Sequence, residues 1–123
     1  MYKIERIGRQ DFYVKVMGLF PPPAAQRFSE KFLKEIEGLD TFRVIIDLLD
    51  AILIKVDSLE IIIDLLNKTE PHLDKAAYCL PHNPPLKEEL KYILSKSSQS
   101  NKRKIVKTLD EGKEWTGISK IVI

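Results

Sequence analysis

The sequence predicts an α/β fold: one domain with a mainly parallel central β-sheet, an opening β-hairpin and about four helices. Three observations carry that reading. Short runs rich in β-branched and aromatic residues alternate along the chain with amphipathic stretches of helical period, the pattern of strand–helix–strand crossovers. The first two strand-like runs are separated only by a turn, which makes them a hairpin. The chain has 123 residues, enough for one domain that buries roughly two-thirds of its unfolded surface.

Residues 2–7 alternate loosely, with Tyr2, Ile4 and Ile7 set against Lys3, Glu5 and Arg6. Gly8 to Asp11 has turn composition, and Phe12 to Leu19 has the content of a strand. Pro21, Pro22 and Pro23 end that strand because proline has no N–H for a ladder. The first turn of a helix tolerates proline, so they also lead into one. Ala25, Phe28, Phe32 and Ile36 form its buried stripe, with Glu30, Lys31, Lys34 and Glu35 between them, and Gly38 is a natural stop.

Thr41 to Leu49 is apolar at its centre without strict alternation, as expected of a strand covered on both faces in the middle of a sheet. Residues 50–56 remain apolar and read equally as strand continuation or packed loop. Asp57 or Ser58 suits a helix cap, and Leu59, Ile62, Ile63 and Leu66 trace the stripe of the helix that follows. Lys68 near its end suits the helix dipole. After Pro71, Lys75 to Leu80 reads as a short buried strand, and Pro81, Asn83, Pro84 and Pro85 as a loop. Leu86, Leu90, Ile93 and Leu94 mark a third helix, and Ser95 to Asn101 a polar loop. Arg103 to Leu109 alternates as a strand. Asp110 then caps a short helix through Trp115, which Gly117 ends, and Ile118 to Ile123 is an apolar tail after a domain spanning 1–117.

Composition narrows the function classes. The chain carries 20 Lys and Arg against 18 Asp and Glu, a net charge of +2, which is not the concentrated basic excess of a general nucleic-acid binder. No apolar run approaches the ~18 residues of a membrane span, and Met1 to Arg6 has no apolar core like that of a signal peptide. Cys79 is the only cysteine and has no internal disulfide partner. The expected setting is cytoplasmic, with no nucleic acid and no membrane span.

The element order and several local patterns resemble the STAS domain, in its SpoIIAA-like, anti-sigma-factor-antagonist-like branch. The features are the opening hairpin, the turn-led first helix, and Arg43-Val44-Ile45-Ile46-Asp47-Leu48, similar to the family's central strand ending in an acid or amide. Asp57-Ser58 at a helix start and the closing Asp110-Glu111-Gly112-Lys113-Glu114-Trp115 resemble further family segments. The similarity covers about residues 2–116. In regulatory members Asp-Ser is followed by Ser or Thr and then Gly; here Leu59 and Glu60 follow. Many SpoIIAA-like members lack the switch and have no assigned activity.

The resemblance implies a non-enzymatic regulatory domain acting by protein–protein contact, with a partner resembling an anti-sigma kinase. It makes Ser58 the phosphoacceptor candidate, where a helix N-terminus would favour an added phosphate; the plain alternative is a helix cap. The contact surface would be the loop before Ser58 and the helix after it, with Asp47, Asp57, Leu59 and Ile62 as candidates. Asp47, at the expected end of the central strand, stands where open α/β sheets bind ligands, or is a loop acid bonding backbone amides. The second reading is a small-molecule carrier, because SpoIIAA-like chains are also suspected of holding apolar, lipid-like ligands between helix and sheet, and Ile52 to Val56 could line such a site.

No catalytic residue, cofactor or metal is expected. His72 and His82 lie in loops without ligand spacing, Cys79 reads as a small buried residue, and neither G-x-S-x-G nor a Gly-rich phosphate loop occurs. Asn101-Lys102-Arg103-Lys104, the densest positive run, reads as a solvated strand entrance, with contact to an acidic partner or phosphate as the other reading. The apolar end offers an edge for pairing, which admits a homodimer.

Overall fold

Hydrophobic patterning and turn chemistry produce alternating strands and helices in the computed structural model, which describes residues 1–97 and 101–119. The order is β1 (Tyr2–Arg6), β2 (Asp11–Phe20), α1 (Pro22–Ile36), β3 (Phe42–Ile54), α2 (Val56–Thr69), a single 3-10 turn (Glu70–His72), β4 (Leu73–Cys79), α3 (Pro84–Lys96), β5 (Arg103–Val106) and α4 (Leu109–Thr116). The strands lie side by side in chain order, β1-β2-β3-β4-β5. β1 runs antiparallel to β2, with Ile4 opposite Val14, and every other neighbouring pair is parallel. β3 is therefore the central strand expected from its unbroken apolar run.

Each crossover moves the chain one strand further in the same direction, and under the right-handed rule for such crossovers successive helices land on one face. The helices α1, α2 and α3 cover that face: Phe28, Leu66 and Leu90 share one core with Val14, Val44 and Tyr78 of the sheet. All five phenylalanines and Tyr2 join there through ring contacts with centroids 5.5–6.3 Å apart. Such pairs contribute about 0.5–1.5 kcal/mol each beyond their buried area. The other face carries a smaller core of Tyr13, Ile45, Ala77, Cys79, Val106 and Ile118. α4 packs over β3, β4 and β5 there. Ala77 and Gly112 make that approach close: a Cβ on Gly112 would stand 3.2 Å from the Cys79 Sγ and 3.5 Å from the Ala77 Cβ.

Several boundaries depart from the sequence reading, each for a local reason. Residues 50–54 continue β3 as strand, and register shifts after Lys15 and Gly18 let the longer strand stay paired with β2. Pro84 and Pro85 are the first residues of α3 rather than loop, with the Asn83 side chain capping the Leu86 N–H at 3.2 Å. Ser95 and Lys96 complete α3 and Ser97 is buried behind it, so of the expected polar loop Asn101 alone is an exposed turn residue, residues 98–100 lying outside the described chain. β5 ends at Val106, and Thr108, not Asp110, caps α4, its hydroxyl accepting from the Glu111 N–H at 3.1 Å. Gly117 ends α4 at φ +80°, as expected. Ile118 is buried in the smaller core; residues 120–123 of the expected tail lie outside the described chain.

The basic run is corrected as well. Arg103 is not solvated: its side chain is 5% exposed and 3.0 Å from the Glu70 carboxylate. It also donates to the Tyr78 hydroxyl at 2.6 Å. Lys102 lies 3.4 Å from the other Glu70 oxygen. The run therefore ties β5 to the end of α2 and to β4. Lys104 rests instead over the Trp115 ring, at 5.2 Å from its centroid.

Candidate functional site

β4 pairs with β3 only as far as Asp47, while β2 and β3 continue together to Phe20 and Ile54. The result is a two-stranded ribbon that overhangs the sheet. Its free side is tied by side chains from the start of α3. Asn83 Nδ2 donates to the Ile52 carbonyl at 2.9 Å, and the Ile54 N–H donates to Glu89 Oε1 at 3.0 Å. Side chains thus supply the partners that a fourth strand residue would otherwise supply.

α2 begins directly beyond the ribbon. Its N-cap is Lys55, which makes no side-chain cap, so neither Asp57 nor Ser58 caps the helix. The reason is visible at Phe20. Its carbonyl accepts from the Lys55 N–H at 3.2 Å and from the Ser58 hydroxyl at 2.8 Å. Ser58 lies one turn inside the helix, 0% exposed, with its hydroxyl turned to the strand instead of to the helix's own amides. Asp57 is exposed, and Leu59 and Ile62 are half-buried against the larger core.

The ribbon and the helices beside it expose apolar side chains, Leu19 and Leu53 on the sheet face opposite to the one that buries Phe20 and Ile54. Leu19 of β2, Ile52 and Leu53 of β3, Val56 of α2 and Tyr92 of α3 are all exposed, Val56 most of all at 76%. Leu19 and Leu53 are direct register partners. Val56, Asp57, Leu59, Glu60 and Tyr92 line a shallow depression at the first turn of α2. Both charges in that lining are negative.

Asp47 belongs elsewhere. It is not at the end of the central strand, because β3 runs on to Ile54. It lies mid-strand, 1% exposed, on the face that carries the smaller core. It accepts from the Tyr13 hydroxyl and from the Leu49 N–H at 3.0 Å. Lys15 Nζ lies 3.7 Å from Asp47 and 2.9 Å from Asp50. Burial, then the hydrogen bond to Asp47 and its charge, push the Tyr13 phenol up. The carboxylate is thus a satisfied sheet residue, and it does not meet Asp57, Leu59 or Ile62 in one site. Cys79 is buried and free, and burial, then the Asp47 and Glu111 charges, push its thiol up to about 12.

Between the sheet and α1–α3 lies an apolar cavity of about 70 Å³, lined by Val14, Phe28, Val44, Ile62 and Leu66 among others. A dry cavity of about 150 Å³ is what benzene occupies in an engineered case, so this one must widen to hold even one ring. Ile52 and Leu53 do not line it; Ile54 and Ile62 do. Among the described residues, no group of three His, Cys, Asp or Glu converges on a metal position, and no helix is long and apolar enough to cross a membrane.

The exposed members Leu19 and Tyr92, and the Asn83 and Glu89 ties, went unread in the sequence. Tyr92 breaks the otherwise charged outer face of α3, between Lys91 and Ile93, and that is the one signal the sequence offered for it.

No family model and no curated protein matches the chain. Two solved structures share its architecture. One is an uncharacterized protein of the DUF3478 family with a SpoIIAA-like fold from Shewanella loihica PV-4, with a TM-score of 0.69 and 15% identity over 94% of this chain and 92% of that one. The other is the anti-sigma factor antagonist SpoIIAA in its unphosphorylated form, with a TM-score of 0.61 and 10% identity over 97% of this chain and 100% of that one. The likeness is one of fold: the chain has the STAS-type, SpoIIAA-like architecture that its element order resembles.

Proposed function

We propose that this chain is a non-enzymatic protein-interaction module, cytoplasmic and regulatory in kind, whose contact surface is the apolar patch around the first turn of α2. One observation carries the reading: Val56 of α2 and Tyr92 of α3 are exposed and line one depression together with Leu59. Single exposed apolar residues are ordinary, but gathered ones mark contact surfaces. Asp57 and Glu60 beside the patch favour a partner that offers an apolar anchor flanked by Lys or Arg. The shared fold with an anti-sigma factor antagonist supports a regulatory partner, by fold analogy alone. Of the four contact candidates, Asp57 and Leu59 line this depression, Ile62 is half-buried against the larger core, and Asp47 is buried in the middle of β3.

On this reading Ser58 works as a pin. Phosphorylating it would require its hydroxyl to leave the Phe20 carbonyl and the first turn of α2 to lift. The test is capture from extract of the source cells on immobilised wild type, Val56→Asp and Tyr92→Ala. One protein retained by wild type and lost by both variants supports the reading. Equal retention by all three places the contact elsewhere. Intact mass of the chain purified from those cells answers the phosphoacceptor question separately: an added phosphate mapped to Ser58 would restore the switch.

The carrier reading rests on the core cavity. Native mass spectrometry of the same preparation tests it, since a retained apolar ligand requires the cavity to be wider in the loaded chain than the ~70 Å³ found here.

A further inference from the structure

We infer that β1 pairs antiparallel with the β1 of a second copy of this chain, about a two-fold axis through Ile4. β1 is the outer strand of the sheet on its hairpin side. Met1 and Met17 exchange both main-chain bonds, and the Ile7 N–H donates to the Asp11 carbonyl. In an antiparallel ladder the inward-bonding residues alternate. Residues 1, 3, 5 and 7 therefore turn their main-chain groups to β2, and Tyr2, Ile4 and Arg6 turn theirs outward.

Those outward groups allow only registers that bond even residues to even residues. Centred on Ile4, Tyr2 faces Arg6 of the second copy and Ile4 faces Ile4, each facing pair exchanging two main-chain bonds. Lys3 then falls opposite Glu5 of the second copy, twice over. Shifting the centre to residue 3 sets Lys3 against Lys3, and shifting it to residue 5 sets Glu5 against Glu5. Like charges directly opposite destabilise a strand pair, and opposite ones stabilise it. The sequence Tyr2-Lys3-Ile4-Glu5-Arg6 is thus self-complementary in one register and self-repelling in both neighbours.

The side chains are in place for it. Lys3 and Glu5 lie together on one face, 2.7 Å apart and 51% and 42% exposed. On the other face Tyr2 and Ile4 are half-buried against the larger core. The pairing would extend that core across the two-fold and join two five-stranded sheets into one. This edge lies on a different part of the molecule from the α2 patch, so the inference stands or falls independently of the proposed partner surface.

The experiment is sedimentation velocity from about 10 μM to about 1 mM, which spans dissociation constants of a weak self-association. Wild type should shift from monomer to dimer. Lys3→Glu alone and Glu5→Lys alone each convert both cross-strand pairs to like charges and should weaken association about tenfold or more. An equimolar mixture of those two variants restores opposite charges and should form a mixed dimer. A wild type that stays monomeric throughout overturns the inference. So do single variants that associate as strongly as wild type, which would place the dimer on another surface. Circular dichroism of each variant shows that it is folded, and the mixture separates lost charge pairing from a damaged strand.

Discussion

The Ser58 hydroxyl donates to the Phe20 carbonyl at 2.8 Å, and through that bond the first turn of α2 is fixed to the last residue of β2. The serine that looks from sequence like an accessible cap or phosphoacceptor is, in the folded chain, a wholly buried cross-link between two elements.

Ser58→Ala should cost about 1 kcal/mol, because the Phe20 carbonyl keeps the Lys55 N–H at 3.2 Å and is not orphaned. Ser58→Asp should cost about 3 kcal/mol or more, since it puts an unpaired carboxylate where no water reaches. Urea melts of both variants check the ratio. A Ser58→Asp melt indistinguishable from wild type would show that the turn opens freely.

Tyr13→Phe keeps the ring in the smaller core and removes one donor from the buried Asp47, which retains the Leu49 N–H at 3.0 Å and Lys15 at 3.7 Å. A hydrogen bond to a charged group of this kind contributes about 1.5–3 kcal/mol. Chemical denaturation should show a loss in that range; a change below about 0.5 kcal/mol would mean the carboxylate is solvated.

Val56→Asp and Tyr92→Ala alter exposed side chains, at 76% and 42% exposure, and should leave stability within about 0.5 kcal/mol of wild type. Their effect should appear only in partner capture. A large stability loss in either variant would reassign the patch to the fold.

Stability should fall as pH rises above about 9. The Cys79 thiol is held up from 9.0 to about 12 by burial and by the Asp47 and Glu111 charges. Burial also raises Tyr13 and Tyr78 above their ordinary phenol value, Arg103 partly opposing it at Tyr78. All three lose protons in the unfolded chain before the folded one, so the unfolded state binds fewer protons and stability declines with pH. It is undiminished below the unfolded values. Urea midpoints at about pH 8 and about pH 10.5 check the sign, and Cys79→Ala should flatten part of the slope. For the same reason a thiol reagent at about pH 8 should label Cys79 only after unfolding.

The elements were legible where local pattern and tertiary packing agree. The stripe of Ala25, Phe28, Phe32 and Ile36 is buried as expected, and the apolar centre of β3 does lie between two parallel neighbours. The site was less legible. Sequence periodicity cannot show that β4 stops opposite Asp47, and it is that stop that leaves Leu19, Ile52 and Leu53 on an uncovered ribbon. Nor can it show that a serine's hydroxyl bonds to a strand 38 residues earlier instead of to its own helix. Arg103 was misread for a similar reason: a charge in a basic run looks solvated until Glu70 and Tyr78 arrive from distant positions.

Because the strands stand in the sheet in the order they occur along the chain, no strand is ever threaded between two that are already paired. Each crossover can be added to a finished edge, with its helix closing over the strand just laid down. Assembly can therefore keep pace with synthesis, at about 5–20 residues per second. At each intermediate stage the freshest strand is the exposed one, while the hairpin edge at β1, outermost among the described strands, is complete from the first step.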